Sequence, residues 1–171
     1  MDDIVKAALR KWPNVPHCYG WLALDARGDW YMRDERIQHA GPFPTVKGSR
    51  IQHEKLLEFI GRNYAHDEAG CWFFQNGPQR VYVQLEAAPW VWRVQNDFSL
   101  RTHTGLTAEF SACWLDEHDR LFIGTPLGLG IVHSMDMHAA AQAVEQGRWE
   151  PGQRRHAELL AEFNVQLEPR P

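Results

Sequence analysis

The sequence predicts an α+β fold, an antiparallel β-meander packed with helices and containing two repeated strand–helix motifs. Three observations predict it. The stretch Cys71–Val94 reads as three successive short strands, rich in aromatic and β-branched residues, with tight connections at Asn76-Gly77-Pro78-Gln79 and Ala87-Ala88-Pro89. Residues 50–64 carry Leu56, Leu57, Phe59, Ile60 and Tyr64 as one wide apolar stripe at helical spacing. Two hairpins look alike: Trp21-Leu22 leads through Asp25 and Asp29 to Trp30-Tyr31, and Trp114-Leu115 leads through Asp116 and Asp119 to Leu121-Phe122.

Composition narrows the class. The chain has 171 residues, 44% of them apolar and 23% charged, which is enough for an ordinary core in one compact domain over 1–171, with lobes 1–102 and 103–171 as its subdivision. Eight tryptophans point to aromatic-rich sheet faces. The net charge of −4, with no dense Lys/Arg run, argues against a nucleic-acid partner. The cysteines Cys18, Cys71 and Cys113 are odd in number and widely spaced, which fits a reducing compartment. No signal peptide and no apolar run of membrane length is read, so the expectation is a cytoplasmic protein.

The elements follow in order. Residues 2–12 form a short amphipathic helix that Pro13 and Pro16 stop. A hairpin spans 21–32, with Gly28 in its turn. Gly41, Pro42 and Pro44 mark 38–47 as a loop, and Ser49 is the expected N-cap of the 50–64 helix. Residues 80–86 alternate, with Val81, Val83 and Leu85 on one side and Tyr82, Gln84 and Glu86 on the other. Residues 90–95 continue the meander, Asn96-Asp97 turns, and 98–102 return. A loop over 103–107 and strands over 109–115 and 120–124 come next. Residues 125–130 are read as a loop, 131–133 as a short strand, and 134–146 and 151–163 as helices. The tail ending Glu168-Pro169-Arg170-Pro171 is expected to fray.

Chemistry-bearing patterns are sparse. The glycines at 124, 128 and 130 could cradle a phosphate, but they lack a P-loop ending and the dinucleotide-binding spacing, so a connector is the plainer reading. The nine histidines show no metal spacing, and Gly-x-Ser-x-Gly is absent. No catalytic residue, metal or cofactor is predicted. The best ligand-binding candidates are Trp90, Trp92 and Arg93, with Tyr82 across the sheet, because flat rings beside a guanidinium form a shallow polar-and-flat site. Cross-strand aromatic pairing is the structural alternative.

Gly28-Asp29-Trp30-Tyr31, the apolar helix after it, Gly70-Cys71-Trp72-Phe73 and Val81-x-Val83-x-Leu85-Glu86-Ala87-Ala88-Pro89-Trp90 follow a familiar order. Over about residues 20–146 the chain resembles the bacterial family called domain of unknown function 1285. Glu86-Ala87-Ala88-Pro89 replaces a more acidic version, and the 38–48 loop is long, as a related but separate uncharacterised family would show. The resemblance implies repeated strand–helix motifs, a bacterial cytoplasmic protein, and a signalling or scaffold role; it carries no catalytic residues across. The expectation is a non-enzymatic module that binds a small molecule or a protein. The rivals are an enzyme with a dispersed site using His103 or His133, and a structural oligomeric subunit.

Overall fold

The computed structural model describes all residues, 1–171, as an α+β fold with two sheets. The chain divides into two compact units. One comprises 1–25, 29–86 and 166–171; the other comprises 26–28 and 87–165. The boundary at Glu86–Ala87 lies upstream of the 102/103 division read from the sequence.

The first unit starts with α1 (Asp3–Lys11). Its strands are β1 (Cys18–Leu24), β2 (Trp30–Met32), β3 (Ser49–Arg50), β4 (Tyr64–His66), β5 (Trp72–Asn76) and β6 (Gln79–Leu85). They lie in the order β3-β2-β1-β6-β5-β4, antiparallel except for the central β1–β6 pair. Two helices interrupt them, α2 (Glu35–Ala40) and α3 (Glu54–Arg62). Trp30, Tyr64 and Trp72 form a ring-to-ring chain in the core, with centroids 5.2 and 4.8 Å apart. Burying a side chain of this kind stabilises the fold by about 2–3 kcal/mol.

The second unit contains β7 (Trp90–Val94), β8 (Leu100–Thr102), β9 (Thr107–Ala108), β10 (Ala112–Leu115), β11 (Leu121–Thr125) and β12 (Gly128–Val132). The helices α4 (Met137–Glu145) and α5 (His156–Glu162) follow, with β13 (Gly152–Gln153) between them. The strand order is β13-β10-β11-β12-β7-β8-β9. Without β13 this repeats the first sheet: two three-strand segments, with the first strand of one paired parallel to the last strand of the other. The strands repeat, whereas the helices fall between strands in the first unit and after β12 in the second. Leu159 of α5 packs with Val91, Phe122, Leu129 and Ile131 in the core of the second unit.

The hairpins that looked alike in sequence, β1–β2 and β10–β11, are not the pair that this topology matches; β1–β2 corresponds to β7–β8. What they share is a turn. In five connections a backbone N–H donates to the carbonyl four residues on: Asp25 to Asp29, Asp67 to Cys71, Gln95 to Ser99, Thr102 to Leu106 and Asp116 to Arg120. The fourth residue of each is left-handed: Gly28, Gly70, Phe98, Gly105 and Asp119. In four of them the first side chain, that of Asp25, Asp67, Thr102 or Asp116, also accepts the backbone N–H of the fifth residue. Short oxygen-bearing side chains favour this loop because they hydrogen-bond their own turn.

Several local expectations change. The meander is split, because Ala87-Ala88-Pro89 carries the chain from the first sheet into the second. Ser49 sits in edge strand β3, and His53 caps α3 by accepting Leu56 N–H at 3.2 Å. Helix α2 occupies the start of the expected 38–47 loop, capped by Asp34. Buried Arg33 holds the rest of that loop, donating to the carbonyls of Gly41 and Val46. Residues 128–130 are strand, not loop. The helix expected over 151–163 starts at His156, because β13 takes the residues before it. The tail is tied down in the first unit: Gln166 N–H donates to Gly70, Leu85 N–H donates to Leu167, and Pro169 is buried.

Candidate functional site

Strand β7 is buried along almost its whole length. Trp90, Val91, Trp92 and Val94 are all buried, and Trp92 is 0% exposed. A lone indole N–H in such a place needs an internal acceptor. Trp92 Nε1 donates to the Ile123 carbonyl at 3.0 Å, and Trp90 Nε1 to the Leu127 carbonyl at 2.8 Å. The two rings therefore belong to the interior of the second unit and form no open aromatic face. Of the candidates on this strand, only Arg93 reaches solvent.

Arg93 stands directly opposite Arg101 of β8, between the pairs Trp92–Thr102 and Val94–Leu100. Asp136 grips Arg93 through both oxygens, at 2.6 Å to Nε and 3.2 Å to Nη2. The same carboxylate accepts Val94 N–H at 3.0 Å, so strand and guanidinium are fixed together. The hydrogen bond from Arg93 holds the Asp136 carboxyl below its ordinary range, against the opposing effect of burial. Arg93, Val94, Gln95, Asn96, Arg101 and Asp136 line an open cavity of about 350 Å³.

Tyr82 is not part of this surface. It lies on β6 in the first unit, where it is buried. Its ring stacks on Tyr19 at 4.7 Å, and its hydroxyl donates to Asp67 at 2.9 Å. Burial pushes the phenol up, with Arg80 and Asp67 acting in opposite directions on it. A separate cavity of about 590 Å³ is lined by His66, Asp67, Glu68, Ala69 and Arg80.

The histidines named for an enzyme reading have structural duties. His103 Nδ1 accepts Val91 N–H at 3.2 Å, and His133 Nδ1 accepts Met135 N–H at 3.0 Å. No group of three or more His, Cys, Asp or Glu side chains is placed to hold a metal. No helix is long and apolar enough to cross a membrane.

Arg101 and Asp136 are the site residues that sequence reasoning missed. A two-residue turn at Asn96-Asp97 would set 93 against 100; the turn is instead centred on Asp97, and that one-residue difference sets 93 against 101. Asp136 arrives from beyond β12, and no local pattern announces it.

No curated protein matches the chain. Among solved structures, it is similar to a DUF1285 family protein from Silicibacter pomeroyi DSS-3, with 12% identity, a TM-score of 0.53, and coverage of 83% of this chain and 84% of that one. At that identity the likeness shows a shared fold. The family model DUF2944, described as "Protein of unknown function (DUF2946)", matches residues 1–169. The chain belongs to that family.

Proposed function

We propose that the protein is a non-catalytic binding module whose site is the solvent face of the β7–β8 hairpin around Arg93. The observation that carries this reading is the double hold of Asp136 on the Arg93 guanidinium and the Val94 N–H. A flexible surface arginine becomes a fixed donor, and a fixed donor loses less entropy when it binds. Below it, Trp92 and Val94 anchor the strand in the core. A ligand-binding group on a rigid sheet, rather than a mobile loop, suits recognition of a small molecule or of one side chain of a partner.

The setting we assign is the bacterial cytoplasm, in a regulatory role. The free thiols of Cys18, Cys71 and Cys113 support a reducing environment. A thermal-shift screen of a metabolite panel tests the reading. Compounds that raise the melting temperature of the wild-type protein are expected to lose that effect on Arg93→Ala. Equal shifts in both proteins would place binding elsewhere and overturn the site.

A further inference from the structure

We infer that the group bound at this surface is a small oxyanion, a carboxylate or a phosphate; the inference rests on the binding reading above and names its chemistry. Arg93 and Arg101 stand directly opposite each other on adjacent strands. Like charges in that position repel, so a face selected for stability alone avoids them.

The fold supplies its own comparison. Hairpin β1–β2 holds the same topological place in the first unit. There Leu24 pairs with Trp30, as Val94 pairs with Leu100, and the next pair is Ala23–Tyr31 where the second unit has Arg93–Arg101. The strand pattern does not require arginine at this register.

The charges around the cavity do not balance. Asp136 neutralises Arg93 and turns its acceptors to Arg93 and Val94. Arg101 is exposed and has no ion-pair or side-chain hydrogen-bond partner. Two guanidiniums and one carboxylate leave the cavity one positive charge. The amides of Gln95 and Asn96 line the same cavity and add neutral donors. A planar or tetrahedral oxyanion can take the fork of Arg101 in bidentate fashion and reach Arg93 Nη1, which Asp136 leaves unused.

The test is an NMR titration of the isotope-labelled full chain with inorganic phosphate and with citrate, each at constant ionic strength set by chloride. Saturable amide shifts at 93–96, 101 and 136 are expected from at least one anion. Phosphate alone assigns a phosphoryl group, citrate alone a carboxylate, and both a general oxyanion site. Arg101→Gln, a change at an exposed position, is expected to weaken binding at least tenfold with the remaining spectrum unchanged. Absence of saturation by either anion, or wild-type affinity in Arg101→Gln, overturns the inference. Glucose and indole in the same experiment separate two failures. Saturation by an uncharged probe alone overturns the oxyanion but keeps the binding module; no saturation by any probe overturns both.

Discussion

The indole of Trp92 occupies the space that a side chain at residue 130 would need. A Cβ built on Gly130 would lie 2.3 Å from Trp92 Nε1, the atom that donates to Ile123. The glycines of this region clear space for aromatic rings: Gly124 abuts Phe163 and Trp114, and Gly130 abuts Trp92. Gly130→Ala should therefore cost about 2–3 kcal/mol, from overpacking and a displaced indole hydrogen bond. Urea denaturation measures it; a change under 0.5 kcal/mol, roughly the scale of a neutral surface substitution, would mean the ring has room to move.

Acid should weaken the second unit through two carboxylates. Burial alone would raise Asp116, but the Arg120 side chain and the Arg120 and His118 amides outweigh it and hold the group low. Asp136 is held low chiefly by Arg93. A carboxyl with a depressed folded value binds its proton more tightly when unfolded. Its contribution is complete above the ordinary Asp value near 3.8 and is lost as pH falls through the folded value. Unfolding free energies measured from pH 6 to pH 2.5 should fall steeply below pH 4, and Asp116→Asn should flatten that limb.

Phe98 sits with φ at +66° where the other matching turns carry Gly or Asp. A bulky residue there costs about 1 kcal/mol of backbone strain. Its ring offsets that cost by packing edge-on to Trp149 at 6.5 Å and beneath the Arg148 guanidinium at 5.1 Å. The packing is the larger effect, so Phe98→Gly should lower stability by about 1 kcal/mol net. A gain in stability would show instead that the turn, not the ring, decides.

Removing residues 166–171 deletes the Gly70–Gln166 and Leu85–Leu167 backbone bonds. The expected cost is about 2 kcal/mol, at roughly 1 kcal/mol for each bond. Hydrogen exchange should then speed up at Leu85, while the amides of β10 to β12 keep their protection. Unchanged exchange at Leu85 would mean the tail adds nothing.

Local physics made much of this legible. The 80–86 alternation, the 21–32 hairpin and the apolar face of α3 are all read from neighbours in sequence, and each is present, although the helix expected over 50–64 spans Glu54–Arg62 and Tyr64 of its expected stripe lies in β4. The split of the meander is not legible, because Ala87-Ala88-Pro89 ends a strand without saying which sheet the next one joins. Parallel β1–β6 and β7–β12 pairs depend on distant segments and leave no local trace. Glycine reads as a strand breaker, so 128–130 looked like loop; only the indoles beside it explain the strand. Arg93 was legible as a surface residue of an alternating strand. The burial of Trp90 and Trp92 was not, because alternation places both rings on the face opposite Arg93 without showing whether that face meets a core or solvent.

The central claim is that Arg93 and Arg101 hold a ligand. Native mass spectrometry of protein purified without added ligand tests it most directly, on wild type, Arg93→Ala and Arg101→Gln. The account predicts a retained small-molecule mass on the wild-type protein and bare chains for both variants. The same retained mass on the variants would contradict it, and a bare wild-type protein would overturn the small-molecule reading and leave a side chain of a partner as the group bound.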